Sequence, residues 1–252
     1  MSKYYRSQRT RNLFDPSSAT PFRLSRSKIE LFQECPFCFY LDRRIGVGRP
    51  PGFPFALNSA VDALLKKEFD LHRQTGTSHP LMQTAGVNAI SFKHEKMDEW
   101  RDSLRAGIQY AIPGTNILFT GGVDDVWVKP SGELIIVDYK ATSKATEVTL
   151  DADWQDGYKR QMEMYQWLFR RNDFQVDATG YFVYCNGKAD VEQFNATLCF
   201  DIKLISYTGD DGWVENTVRA AHQCLVADKT PKPNEDCDYC RYRDAVSGAL
   251  QG

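Results

Sequence analysis

Two Cys-x-x-Cys pairs, Cys35/Cys38 and Cys237/Cys240, sit towards opposite ends of a 252-residue chain, with Cys38 and Cys237 199 positions apart. If the four thiols share one ligand, the two ends must meet and everything between them becomes a single closed loop pinned at its base. That narrows the fold to those whose terminal regions are neighbours. The cysteines number seven, an odd count, and the opening MSKYYRSQRTRNLF has no apolar stretch behind its charges. Neither a secretory signal nor a complete disulfide framework is therefore expected. In a reducing compartment the spacing points to a metal or cluster. A tetrahedral Zn²⁺ and a [4Fe–4S] centre both take four thiolates, and two matched pairs suit zinc. Cys185, Cys199 and Cys224 fall in apolar strand or helix patterns and are expected in the core.

Apolar residues make up 42% of the chain and charged ones 25%, so a core and a solvated shell are both available and a wholly disordered chain is excluded. No apolar run approaches the ~20 residues of a bilayer span, which points to an intracellular, cytoplasmic protein with no membrane partner. The net charge of −2 conceals an asymmetry: over residues 1–28, Lys3, Arg6, Arg9, Arg11, Arg23, Arg26 and Lys28 face Asp15 alone. Residues 1–20 read as a flexible basic arm, suited to a polyanion or simply to solvent. Residues 21–252 read as a single domain.

Ser27 followed by Glu30 predicts a capping box at the start of a helix, whose first part Pro36 ends or kinks. GVGRPPGFPF (46–55) is a turn-rich break. The next segment carries Leu57, Val61, Leu64, Leu65 and Phe69 at helical period. Residues 75–84 read as loop and 96–111 as a polar-faced helix. ILFTGGVDDVWVK and ELIIVDYKAT, joined by Pro-Ser-Gly, predict a β-hairpin. A clear helix covers 156–171, and two strands, a final helix and a C-terminal knuckle follow. The pattern is α/β, with a central mixed sheet flanked by helices rather than a regular βαβ ladder.

The chemistry gathers on the hairpin. Asp124 reads as part of its first strand, and Asp138 and Lys140 share one side of the second, with Tyr139 on the other. Carboxylates converging at a strand end suit a hard divalent cation. A lysine beside them can orient water and offset charge developing on a phosphate. Asp125 competes with Asp124 for the inward role, and an Asp-x-Lys also occurs as a plain salt bridge at a strand edge. Gln161 and Tyr165, one helical turn apart, share a face. The four histidines have no partner spacing and read as ordinary structural residues.

With Gly121-Gly122-Val123-Asp124, then Asp138-Tyr139-Lys140, then Gln161 and Tyr165, the sequence resembles the PD-(D/E)XK nucleases. Within them it looks like the RecB/AddB-type exonucleases, which include the CRISPR-associated cluster-bearing enzymes. Leu24-Ser25-Arg26-Ser27, Phe32 and Cys35-Pro36 match that group's entry pattern. The resemblance implies a restriction-endonuclease-like core in which Asp124 and Asp138 hold Mg²⁺ or Mn²⁺, Lys140 builds the water-activating site, and Gln161 and Tyr165 face the nucleic acid. Where the group has Gly-x-x-x-His on its early helix, Asn58-Ser59-Ala60-Val61-Asp62 offers Asp62 as a further metal carboxylate. Cluster-bearing members use one early cysteine and three late ones. Cys35, Cys237 and Cys240 match three, Cys38 replaces the fourth, and the resemblance implies a [4Fe–4S] cluster, with zinc as the alternative. The implied function is a metal-dependent DNA nuclease, a single-strand exonuclease in DNA repair or CRISPR adaptation. Arg43, Arg44 and the arm would meet backbone phosphates, and a helicase or integration complex would be the partner. A non-catalytic nucleic-acid-binding or scaffold module that retains the fold is the alternative, favoured by the missing histidine.

Overall fold

A computed structural model describes residues 7–52 and 56–251. In chain order the first elements are β1 (Phe22–Ser25), α1 (Arg26–Glu34), α2 (Pro36–Tyr40), a π-turn (Leu41–Ile45), α3 (Ala56–Thr75), α4 (Pro80–Thr84) and β2 (Ile90–Ser91). Then come α5 (Met97–Arg101), β3 (Ile108–Ala111), β4 (Ile117–Gly121), β5 (Asp125–Val128) and β6 (Leu134–Thr142). The last are a 3₁₀ turn (Asp153–Gln155), α6 (Asp156–Arg171), β7 (Thr179–Gly187), β8 (Phe200–Thr208), α7 (Val214–Val226) and α8 (Asp238–Gln251). Three strands form a sheet of order β1-β4-β3, and five form one of order β2-β5-β6-β7-β8. No helix among the described residues is long and apolar enough to cross a membrane.

The chain divides into two compact units. One comprises Met1–Phe53, Tyr110–Phe119 and Trp213–Gly252; the other comprises Pro54–Gln109 and Thr120–Gly212. In the first, α1 and α2 pack on α7, and Leu24, Ile29, Phe39, Val218 and Leu225 are fully buried. The expected basic arm belongs to this unit. Residues 1–6 of it, with Lys3 and Arg6, lie outside the described residues. From there on it is tied down: the Arg9 N–H donates to Gly46 O at 2.8 Å, Arg9 pairs with Asp42, and buried Phe14 donates its N–H to Arg43 O at 2.8 Å.

In the second unit β5 and β6 run antiparallel, β6 and β7 parallel, and β7 and β8 antiparallel, with α6 in the crossover between the parallel pair. The run from Leu134 to Val137 is apolar at every position because β6 is covered on both faces. On one face Ile135, Val137 and Tyr139 pack with Val61, Leu65 and Phe69 of α3. On the other lies α6, an amphipathic helix with Asp156 in its first turn and Arg170 and Arg171 in its last, which suits the helix dipole. Gly121 lets this helix come close: a Cβ there would stand 2.8 Å from the Tyr165 ring and 2.9 Å from Leu168 Cδ1.

Several local expectations change. Ser25, not Ser27, precedes α1 and makes no side-chain cap; Ser27 already lies inside the helix, so the capping box does not form. The helix expected over 96–111 covers only Met97–Arg101. The Asp102 carboxylate then accepts the N–H groups of Leu104 and Arg105, closing a turn, and the chain continues as β3. Residues 75–84 contain α4, capped by His79, whose Nδ1 accepts the Leu81 N–H at 3.1 Å. Leu57 and Leu64 face outward at 56% and 63% exposure, so the apolar stripe of α3 is wider than its buried face. The 46–55 break carries no helix or strand as far as Gly52, and its last three residues lie outside the described ones. α8 begins inside the expected knuckle, at Asp238 between Cys237 and Cys240, and runs to Gln251. Cys185 is core as expected, whereas Cys199 is exposed and Cys224 half-buried.

Candidate active site

Alternation along β6 sends Asp138 and Lys140 to the α6 side, opposite Tyr139. Asp138 is fully buried. Its Oδ2 is paired with the Lys140 ammonium, and its Oδ1 accepts from Gln161 Nε2 at 2.6 Å. The same Nε2 lies 3.2 Å from Tyr165 Oη, and Gln161 Oε1 accepts from Lys140 Nζ at 3.3 Å. Asp138, Lys140 and Gln161 thus close one hydrogen-bonded ring, and Tyr165 joins it through Gln161.

Asp124 is not in a strand. It ends the irregular link Gly122–Asp124 between β4 and β5, where the apolar run had suggested one continuous strand. The link is fixed: the Val123 N–H donates to Trp100 O at 3.1 Å, and Arg101 Nε donates to Asp124 O at 3.0 Å. Asp124 Oδ2 then accepts the Tyr139 N–H at 2.9 Å, which seats this carboxylate beside the Asp-x-Lys segment. Its Oδ1 lies 3.3 Å from Lys66 Nζ, and Lys66 reaches Asp62 at 2.9 Å. Burial works to lower the Lys66 pKa, but Asp124 and Asp62 outweigh it and hold it above the ordinary lysine value. Asn58 ties the first turn of α3 to β6 by donating to Ala141 O at 3.0 Å. Sequence reasoning missed Lys66. Its signal is the spacing, four residues after Asp62 and on the same helical face.

Asp125 faces the other way and is fully buried. Its Oδ1 accepts the Val126 N–H at 2.8 Å and meets Arg73 and Arg101, and its Oδ2 accepts from Tyr139 Oη at 2.8 Å. Both arginines also pair with Asp70. Asp125 is therefore an internal anchor, with its lone pairs committed to the fold.

The four paired cysteines meet in the other unit, all buried. Cys35–Cys240 sulfurs stand 3.8 Å apart, Cys38–Cys237 and Cys38–Cys240 3.7 Å, and all four lie within 4.8 Å of one another. Cys35 ends α1 while Pro36 opens α2, so both early thiols project from one helix junction. Arg49, which the sequence did not single out, donates to Cys237 Sγ at 3.4 Å, pairs with Glu34 and lies over the Tyr239 ring. Burial pushes the Cys237 thiol up, but the Cys240 N–H and the neighbouring thiols bring it down to about 7, which favours a thiolate ligand. Arg43 is buried against Asp42, its Nε 2.9 Å from Oδ2, and Arg44 donates to Phe14 O at 3.1 Å. Arg43 is thus committed to an internal ion pair where a phosphate contact was expected.

The sequence matches the PD-(D/E)XK nuclease superfamily over residues 23–245. The chain belongs to that superfamily. It is also similar to a solved structure titled "Crystal structure of SSO0001", with 14% identity, a TM-score of 0.39, and coverage of 88% of this chain and 84% of that one. No curated protein matches it.

Nucleases of this superfamily use divalent metals, and the donor set fits one. Asp62, Asp124 and Asp138 offer only oxygen, and they outnumber the ammonium groups of Lys66 and Lys140 by one. The three carboxylates do not converge as the thiols do. Among the described residues only the cysteine set brings three or more such ligand atoms within 4.8 Å of one another. Lys66 bridges Asp62 and Asp124, and Lys140 pairs with Asp138, so each carboxylate meets an ammonium group.

Proposed function

We propose that this nuclease is a Mg²⁺- or Mn²⁺-dependent deoxyribonuclease of the RecB/AddB type, an exonuclease acting on single-stranded ends. The observation that carries the reading is the ring of Asp138, Lys140 and Gln161, backed by Tyr165, with Asp124 seated beside it by the Tyr139 N–H. Asp124 and Asp138, assisted by Asp62, would hold the ion, which when bound polarises a phosphoryl oxygen and lowers the pKa of a water. Lys140 orients the attacking water and offsets charge developing on the phosphate. Gln161 fixes both partners of that lysine–carboxylate pair, and Tyr165 fixes Gln161. An intracellular role in DNA repair or CRISPR adaptation, beside a helicase or integration complex, accords with the resemblance of the entry pattern and the four cysteines.

For the cysteine centre we favour zinc over the cluster that the resemblance suggests. Four sulfurs at 2.3 Å from one tetrahedral ion lie ~3.8 Å apart, close to the 3.7 and 3.8 Å found for three of the six pairs, with all six within 4.8 Å. A cubane binds each thiolate to a different iron and so sets the sulfurs much farther apart.

The test is degradation of end-labelled single-stranded DNA in Mn²⁺. The wild type shortens the strand, and Lys140→Ala does so about 10²-fold or more slowly while still binding it. If both bind equally and neither cuts, the nuclease reading fails and a binding module replaces it.

A further inference from the structure

Four side chains lead away from the catalytic end of β6, and the cleavage chemistry uses only the first. The Lys140 ammonium lies 4.3 Å from the centre of the Tyr158 ring. Trp154 meets Tyr158 edge-to-face, with ring centroids 5.5 Å apart at 82°. Lys144 Nζ then stands 5.0 Å from the centre of the Trp154 ring. The order is cation, ring, ring, cation. Tyr158 lies three residues before Gln161 and seven before Tyr165, so it extends the face of α6 that meets the Asp-x-Lys pair.

The outer members are displayed on a fixed frame. Trp154 is 57% exposed, while Trp100, Trp127 and Trp167 are at most 4% exposed and Trp213 is only partly exposed. An indole left in water forgoes the burial that most tryptophans gain. Its 3₁₀ turn is nevertheless clamped: fully buried Gln155 accepts the Ala152 N–H at 3.1 Å and donates to Thr149 O at 2.7 Å. Lys144 is held through its backbone, whose N–H donates to Asn186 Oδ1 at 2.8 Å and whose carbonyl accepts from Asn186 Nδ2 at 3.0 Å. The turn presents a rigid aromatic plane with a cation on a flexible stem beside it.

We propose that Trp154 is a nucleobase-stacking subsite for an unpaired strand, with Lys144 taking an adjacent backbone phosphate and Tyr158 bridging the subsite to Lys140. Stacking on an aromatic ring needs a base with a free face, and every interior base of a duplex has both faces covered. The subsite therefore selects single-stranded nucleic acid by access, with no readout of base identity. This deepens the proposed nuclease function and rests on it for placing the scissile phosphate at Lys140.

The probes are an oligothymidylate strand, the same strand with abasic residues, and a blunt duplex, bound without added divalent ion so that no cutting competes. Oligothymidylate is expected to quench tryptophan fluorescence. Trp154→Ala should remove most of the quenching and weaken oligothymidylate binding about ten-fold or more. Binding of the abasic strand and of the duplex should change less than about two-fold, and Trp154→Phe should recover part of the loss. Lys144→Ala should weaken the normal and abasic single strands alike and flatten their salt dependence. Equal oligothymidylate affinity for wild type and Trp154→Ala, or no single-strand binding by the wild type, overturns the subsite. Quenching and a Trp154-dependent affinity without cleavage in Mn²⁺ would instead sink the nuclease reading and leave the subsite standing.

Discussion

Asp124 and Asp125 are consecutive carboxylates with opposite tasks, and replacing each in turn separates stability from cleavage. Asp125→Ala would leave the guanidinium groups of Arg73 and Arg101, 9% and 10% exposed, with the partly exposed Asp70 as their remaining carboxylate, and would strip Tyr139 Oη of its acceptor. Breaking a buried pair by removing one partner costs about 3–5 kcal/mol. At about 2–4 °C per kcal/mol for a chain of this size, the melting temperature should drop by roughly 6–20 °C. Asp125→Asn keeps one acceptor oxygen and should cost about 1–3 kcal/mol. Asp124 is different: its side chain is 24% exposed, and on its loss Lys66 keeps Asp62. The asparagine keeps an oxygen to accept the Tyr139 N–H, and a partly exposed pair of this kind is worth about 1 kcal/mol. Asp124→Asn should therefore melt close to the wild type and yet fail to cut. Urea and thermal unfolding measure the first quantity, and end-labelled strand degradation at a temperature where both variants are folded measures the second. An Asp125→Ala protein within about 1 kcal/mol of wild type would refute the anchor role. An Asp124→Asn protein destabilised as much as Asp125→Ala, or one that still cuts at the wild-type rate, would refute the division of tasks between the two.

Purified protein should be colourless and carry close to one zinc per chain by elemental analysis. Cys35→Ser should lower both the zinc content and the melting temperature, because the site joins segments from the two ends of the chain; iron with visible absorption in the wild type would refute zinc. His79 sets an acid limit. Its Nδ1 accepts the Leu81 N–H and its Nε2 lies 3.0 Å from Glu68, so the fold needs the neutral ring. Burial, with a smaller push from His72, outweighs Glu68 and holds its pKa below the ordinary 6.5. A depressed folded value means the stability from this group is complete above the unfolded pKa and is lost as pH falls through the folded one. The urea midpoint should therefore decline on acidification below about pH 6.5, and His79→Gln should remove that part of the slope. An unchanged slope in the variant would refute the assignment.

How much of this was readable in advance depends on how local the deciding forces are. β6 and α6 declare themselves through their own residues: Ile135, Ile136 and Val137 after a Pro-Ser-Gly turn predict a strand, and Asp156–Arg171 carries one apolar face and charges that suit its ends. The 96–111 segment misleads because helical periodicity continues past Asp102, whose side chain takes the local N–H groups and turns the chain. The break at Gly122–Asp124 is invisible in an apolar run, since it depends on Trp100 and Arg101 accepting and donating from another segment. For the same reason the choice between Asp124 and Asp125 could not be made from sequence: the arginines that claim Asp125 lie 52 and 24 positions away.

The residue that settles that choice is Tyr139, the unspecified middle position of the Asp-x-Lys motif. Its backbone N–H takes Asp124 Oδ2 at 2.9 Å, and its hydroxyl takes Asp125 Oδ2 at 2.8 Å. Because main chain and side chain of one strand residue point in different directions, the two neighbouring carboxylates are drawn apart, one towards the Asp138–Lys140 pair and one into the core beside Phe69 and Trp127. Burial first, and Asp125 beside it, raise the Tyr139 pKa well above its ordinary value, which keeps the hydroxyl protonated as the donor Asp125 requires. The period of two along β6 thus does more than place Asp138 and Lys140 on one face. It makes the intervening residue the sorting element for the acidic pair on the adjoining segment, and the polarity of the site follows from the same alternation that builds the sheet.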